Sequence, residues 1–331
     1  MINQSSKAAQ VFAELSPDKV IDAVESTGVL SDLRVFALNS YENRVYQIGI
    51  EEGEPIIAKF YRPERWSNEQ IQEEHDFSQQ LVEADIPVIP PIPDADGNTL
   101  RNYDGFRFSL YKRRGGYAPA LDDMDSLYQL GQLLGRIHLV GASQDFTHRP
   151  SLDIDSFGRE SADFVLQEMM PKELKPAYQP LAEQLLDNIQ AVFDRISYTP
   201  IRVHGDCHVG NILCRDGEHH FVDLDDSRMA AAMQDIWMFV TGDKFEQAKG
   251  LAELVDGYDE FYQFEPKQIA LLEPLRTLRL LHHAAWLGRR WQDPAFPMAF
   301  PWFNTANYWS SHILELKEQL SALDEAPIKL F

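Results

Sequence analysis

The segment His204-Gly205-Asp206-Cys207-His208-Val209-Gly210-Asn211 sets an Asp and an Asn five positions apart in a glycine-containing loop. Twelve residues after the Asn, a second Asp closes the short apolar run Phe221-Val222-Asp223 and is followed by Leu224-Asp225-Asp226. That spacing meets the needs of phosphoryl transfer: one carboxylate beside an acceptor hydroxyl, and an amide oxygen with a further carboxylate on Mg²⁺. Either half alone is a weak signal. The pair is specific.

The chain has 331 residues, enough for one large domain or two lobes with a real core. No segment approaches about 18 uninterrupted apolar residues, so no membrane span is expected. The first residues, Met1-Ile2-Asn3-Gln4-Ser5-Ser6-Lys7, lack an apolar signal core. The two cysteines, Cys207 and Cys214, cannot form a disulfide scaffold. A reducing cytoplasm is the expected compartment. The net charge of −22 repels nucleic acid and anionic lipid, so neither is an expected partner. It suits a cationic small molecule or a basic peptide, although an acidic surface also serves solubility alone. A monomer is expected.

Ser16-Pro17 opens a helix, with Val20, Ile21 and Val24 on one face and Gly28 at its end. Leu33–Leu38, Arg44–Ile50 and Pro55–Tyr61 read as strands, and Ser67 with Gln70 forms a capping box for a helix to about Glu83. Thr99–Arg101 and Phe106–Tyr111 read as two further strands about a turn at Asp104-Gly105. Downstream the periodicity is helical around Leu127–Ile137, Phe164–Met169, Leu181–Ile196, Leu251–Tyr262 and Gln268–Trp291. The strand-like pair Asn211–Cys214 and Phe221–Asp223 interrupts it. The expected fold is therefore α+β and bilobal. Residues 1–111 form a small nucleotide-binding N-lobe of antiparallel sheet plus helix, and 112–116 a hinge. Residues 117–331 form a larger, mainly helical C-lobe with the catalytic loop and acceptor site.

The H-G-D-x-x-x-x-N…D pattern resembles the protein-kinase H-R-D-x-x-x-x-N and D-F-G, with Gly205 in place of the Arg and Leu224-Asp225 in place of Phe-Gly. This variant is similar to the aminoglycoside, choline and homoserine kinase group. Asp206 is the candidate general base, able to orient an acceptor hydroxyl and take its proton. Asn211 and Asp223 are the candidate Mg²⁺ ligands, hard oxygen donors that share the ion with phosphate. Asp223 thus belongs to the catalytic set as well. Asp225 and Asp226 are open between a second metal contact and bonds to neighbouring backbone. His204 reads as architectural, and Asp235 as a residue that steadies the loop.

Lys59, in Ile56-Ile57-Ala58-Lys59-Phe60-Tyr61, resembles the kinase V-A-I-K lysine and would bind the α/β phosphates of ATP. A lysine inside an apolar strand needs a partner to stay charged. Glu74 on the next helix is the expected one, sharing a face with Phe77 and Leu81, and Glu73 is the competitor. No G-x-G-x-x-G is present. Its place between the first two strands is taken by Asn39-Ser40-Tyr41-Glu42-Asn43-Arg44, where Ser40 is the candidate phosphate contact. Adenine would meet backbone groups of residues 109–113, and Arg113 and Arg114 read as exposed hinge cations. Cys207, His208, Cys214, His219 and His220 cluster in sequence, but their spacing fits no two-plus-two zinc pattern.

Longer segments resemble the bacterial stress response kinase A family. They are Leu38–Tyr46, Lys59–Trp66, His204–His208, Asp223–Asp226 and Arg290–Pro297, and the likeness spans roughly residues 12–325. The resemblance implies an ATP- and Mg-dependent serine/threonine protein kinase acting on protein Ser/Thr hydroxyls in stress protection. It implies Asp206 as proton acceptor, Asn211 and Asp223 on Mg²⁺, and Ser40 at the ATP phosphates. Two other readings stand beside it: a small-molecule kinase on the same core, since fold does not fix substrate, and a nucleotide-binding scaffold without catalysis. Only eleven residues separate Asp223 from Asp235, too few for a long activation segment, so activity independent of activation-loop phosphorylation is expected.

Overall fold

The computed structural model describes Phe12 and residues 14–330, so the reading of Met1–Lys7 lies outside the described residues. The described residues form two compact units. The first runs to Ala118 and includes Ile212–Asp225 and Gln292–Ala295; the second comprises Pro119–Asn211, Asp226–Trp291 and the chain from Phe296. The lobe division expected from sequence assigns all of 117–331 to one lobe. The compact units instead place the hairpin after the catalytic-loop motif, and a four-residue stretch near residue 293, with the N-terminal sheet.

In the first unit, Ser16 caps helix α1 (Pro17–Glu25) by accepting the Lys19 N–H at 3.2 Å, and Pro17 starts it without a donor to satisfy. Val20, Ala23 and Val24 turn inward. Strands β1 (Ser31–Ala37), β2 (Arg44–Ile50), β3 (Ile56–Phe60), β4 (Arg101–Tyr103) and β5 (Phe106–Lys112) make an antiparallel sheet in the order β1-β2-β3-β5-β4. Val24, Ile48, Ala58, Phe60 and Phe108 form its core. Phe60 and Phe108 stack with centroids 5.3 Å apart. The fourth strand lies two residues beyond the expected Thr99–Arg101. Asp104 and Gly105 both have positive φ, and such a two-residue turn requires pairing right up to its edge.

Helix α2 (Asn68–Glu83) has the expected capping box: Gln70 N–H donates to Ser67 Oγ at 3.2 Å and Ser67 N–H to Gln70 Oε1 at 2.9 Å. Strands β7 (Ile212–Arg215) and β8 (Glu218–Phe221) form a hairpin about Asp216 and Gly217, again both at positive φ. This corrects the expected strand Phe221–Asp223. Pairing stops at Phe221, and Asp223 has φ 61°, a left-handed conformation outside any ladder. The Asp-Gly pair was the signal that places this hairpin.

The second unit is mainly helical. Helix α3 (Met124–Gly141) lies along α5 (Lys244–Asp259), while α4 (Lys175–Arg195), α6 (Leu272–Arg289) and α7 (Ala306–Asp324) pack against one another. A Cβ added at Gly257 would fall 2.1 Å from the Tyr128 carbonyl, so the α3–α5 approach depends on that missing side chain. Strands β6 (Ile201–Val203) and β9 (Arg228–Ala230), unanticipated from sequence, pair antiparallel. Three-residue strands carry too little alternation to be read. The expected Phe164–Met169 helix is an α-helical turn, Glu160–Phe164, between two short π-helical segments, Asp155–Arg159 and Val165–Met169. Among the described residues no helix is long and apolar enough to cross a membrane.

Candidate active site

In the first unit β3 carries Lys59 opposite Val45 on β2 and Ser109 on β5. Its side chain is 8% exposed, and three carboxylates surround the ammonium: Asp223 Oδ1 at 3.0 Å, Asp225 Oδ1 at 3.1 Å and Glu74 Oε1 at 3.5 Å. Burial works against the charge, but Asp225, Glu74 and Asp223 outweigh it and hold the Lys59 pKa well above the usual lysine value. The lysine therefore stays protonated on a central strand.

The three carboxylates are not equivalent. Glu74 and Asp225 are buried, whereas the Asp223 side chain is 52% exposed. Arg65 forms an ion pair with Asp225 Oδ2. From Arg65 the charges run on through Glu42 to Arg62, which meets Glu42 at 3.1 Å and Asp293 at 2.8 Å. Arg44 joins Asp293 at 3.0 Å. Burial would raise the Asp293 pKa, but Arg62, the Ala295 N–H and Arg44 hold it below the usual carboxylate range.

The same network builds the β1–β2 turn that carries Ser40. Arg62 donates to the carbonyls of Glu42 at 2.8 Å and Tyr41 at 3.2 Å, and the Arg62 N–H donates to Asn43 Oδ1 at 3.0 Å. Ser40 Oγ is half-buried and donates to the Asn43 carbonyl at 3.3 Å. Beyond β5, Arg113 donates to Gln47 at 2.7 Å and Arg114 pairs with Glu218 at 3.1 Å, so both expected hinge cations have side-chain partners.

In the second unit the loop after β6 carries Asp206 and Asn211. Gly205 sits at φ 87°, and a Cβ there would fall 2.1 Å from the Asp226 carbonyl. Only glycine meets both conditions, which explains why no larger residue precedes this Asp. Asp235, fully buried, accepts the backbone N–H of His204 at 2.7 Å and of Gly205 at 2.9 Å. His138 Nε2 donates to the same carboxylate at 3.1 Å, and Tyr258 OH donates to His138 Nδ1 at 2.8 Å. Burial would raise the Asp235 pKa, but the His138 bond and the Gly205 N–H keep it lowered, so the carboxylate stays ionised. Gln234 completes the cradle by donating to the Gly205 carbonyl at 2.9 Å.

Asn211 Nδ2 donates to the Asp206 carbonyl at 3.0 Å, which fixes the amide with its Oδ1, a hard oxygen, as the acceptor end. Gly210 N–H donates to His208 Nδ1 at 3.0 Å, so the His208 proton sits on Nε2, 3.5 Å from Asp206 Oδ2. The other carboxylate oxygen is paired with Arg279 of α6. Sequence reading missed Arg279 and His138. Neither stands near the motif in the chain, and an Arg or His on an amphipathic helix carries no local mark of a distant partner.

An ion that arrives with phosphate asks little of the protein. Among the described residues no three His, Cys, Asp or Glu side chains gather into a metal cage. Mg²⁺ needs only one or two protein oxygens when phosphate and water supply the rest. The exposed Asp223 carboxylate of the first unit, and separately the Asn211 amide of the second, are each hard oxygens of the type such an ion takes.

The phosphotransferase enzyme family profile matches residues 33–272. The chain belongs to the phosphotransferase enzyme family. Members similar to it over nearly their whole length include stress response kinase A of Escherichia coli (strain K12), 42% identical over 326 residues and 98% of each chain. Serine/threonine protein kinase RdoA of Salmonella typhimurium (strain LT2) is 40% identical over 97% of this chain and 98% of its own. Among solved structures, the amicoumacin kinase hAmiN in complex with AMP-PNP, Ca²⁺ and Ami superposes with a TM-score of 0.75 at 19% identity over 97% of each chain. A microcompartment-associated aminopropanol kinase gives 0.68 at 18% identity, over 94% of this chain and 99% of that one. This phosphotransferase therefore has the kinase-like fold, with an N-terminal antiparallel sheet and a helical C-terminal part.

Proposed function

We propose that this phosphotransferase is an ATP- and Mg-dependent serine/threonine protein kinase with a stress-response role. The observation that supports it most is the ammonium of Lys59, kept charged by buried Glu74 and Asp225 and within 3.0 Å of the exposed Asp223. In this reading Lys59 binds the α/β phosphates, and Ser40 touches phosphate from its turn. Asp223 and Asn211 supply protein oxygens to Mg²⁺. The metal, when bound, neutralises charge on the phosphate oxygens. Asp206 orients the acceptor hydroxyl and takes its proton. The hydroxyl oxygen forms the new bond to phosphorus, and ADP leaves with the electron pair of the broken P–O bond. Asp235 keeps the loop in place from below.

The serine/threonine assignment is supported by the relative named serine/threonine protein kinase RdoA, and the stress-response role by stress response kinase A, both similar over nearly the whole chain. One observation favours a small-molecule acceptor instead. Between Asp223 and Asp235 the chain holds only the 3₁₀ turn Leu224–Asp226, β9 and the start of the helix Met233–Ile236. No extended segment is present there to dock a peptide. Incubation with γ-labelled ATP, Mg²⁺, mixed protein acceptors and, separately, metabolite pools decides between them. Label recovered as phosphoserine or phosphothreonine supports the protein kinase. Label only in dialysable products moves the assignment to a small-molecule kinase.

A further inference from the structure

We infer that Arg279 selects the acceptor, and that the preferred acceptor is a hydroxyl beside an anionic group, on a peptide or on a small molecule. The inference rests on Asp206 being the proton acceptor. The carboxylates at the loop are less available than the charge on the chain suggests. The protein carries −22 overall, which by itself suggests a cationic acceptor. Recognition of a cation needs a carboxylate with charge to spare. Around this loop each carboxylate of the second unit already has a partner. Asp206 is paired with Arg279, Asp226 with Arg228 at 2.8 Å, and Asp235 with His138 and two backbone N–H groups.

Asp226 and Asp235 are held by partners at most 7% exposed. Arg279 differs, because its side chain is 38% exposed. The bond to Asp206 Oδ1 uses only part of the guanidinium's planar donor fork. The remaining donors adjoin the position an acceptor hydroxyl must take to reach Asp206. A carboxylate or phosphate on the acceptor would meet them bidentately, and an ammonium there would be repelled. His283, one helical turn further along α6 and exposed, extends the same face.

The test uses four acceptors: a serine peptide flanked by Asp and Glu, the same peptide flanked by Lys and Arg, a hydroxy acid and an amino alcohol. Transfer of labelled phosphate from Mg-ATP is measured for wild type, R279Q, R279K and D206N, together with total ATP turnover. The expected result is a wild-type kcat/KM about tenfold or more in favour of the anionic member of the peptide or small-molecule pair, the worth of one charge-assisted hydrogen bond. R279Q brings that ratio to about one, chiefly through KM. R279K keeps a preference of the same sign and shows that the charge, not the packing of the side chain, carries it. The pair that is labelled identifies the source of the acceptor. A preference for the cationic member, or a ratio that R279Q leaves unchanged, overturns the inference. So does absence of transfer to all four acceptors while Asp206-dependent ATP turnover continues, an outcome that leaves the role of Asp206 standing. ATP turnover undiminished in D206N overturns that role, and the inference with it.

Discussion

The Lys59 ammonium lies 3.1 Å from Asp225 and 3.0 Å from Asp223, two carboxylates separated by a single residue but opposite in exposure. Asp225 is buried and shared with Arg65, whereas Asp223 faces solvent. That division separates holding the lysine from serving a ligand. D225A leaves Lys59 and Arg65 short of a buried counter-charge, and is expected to lower unfolding free energy by about 3 kcal/mol or more. D223A should cost less, about 1 kcal/mol from the left-handed backbone and the lost half-exposed ion pair, while weakening Mg-ATP binding. Urea unfolding and nucleotide titration of both variants check the pair. Equal destabilisation by the two would contradict the division.

Asp235 serves two backbone N–H groups and His138 with one carboxylate. An amide at that position offers a single acceptor oxygen and turns an N–H₂ toward a donor. D235N is expected to cost about 3 kcal/mol of stability and to slow phosphoryl transfer, since the loop carrying Asp206 loses its anchor. Chemical denaturation and transfer rates measured on the same samples test this. A variant as stable as wild type would show that the anchor is unimportant.

Acid sensitivity should begin at histidines. Burial, reinforced by Arg228, lowers the His282 pKa to about 3, and burial with His283 lowers that of His312 to about 4. Both stay neutral in the folded protein after the unfolded chain has begun to take up protons, below about pH 6.5. Stability is therefore unaffected by these groups above that pH. It falls between about pH 6.5 and 4, by up to about 1.4 kcal/mol per pH unit for each histidine. H312F should flatten the curve of melting temperature against pH in that window. An unchanged slope would remove His312 from the account.

The short interval from Asp223 to Asp235 predicts that turnover does not depend on a phosphorylated activation segment. Phosphatase-treated protein should retain its rate of ATP consumption. Complete loss of turnover on treatment would refute this.

Local chemistry was legible in the sequence and distant pairing was not. The capping box at Ser67 and the cap at Ser16 depend on neighbours in the chain and appear where the sequence puts them, and strands β2 and β3 fall within their expected ranges. Gly205 announces a constrained loop before Asp206, although the reason, the Asp226 carbonyl against its Cα, needs the fold. The path from Lys59 through Asp225, Arg65, Glu42 and Arg62 to Asp293 joins residues far apart in the chain. No spacing rule links them. Arg279 is the sharpest case: its partner lies 73 positions away, and nothing near it distinguishes it from the other arginines of α6.

The most direct test of phosphoryl transfer through Asp206 compares wild type with D206N at saturating Mg-ATP, with nucleotide affinity measured on the same preparations. Loss of a general base should lower the transfer rate by about 10²–10⁴-fold. Affinity for Mg-ATP should be unchanged, because Lys59 and Asp223 are untouched. A D206N rate equal to that of wild type would contradict the account.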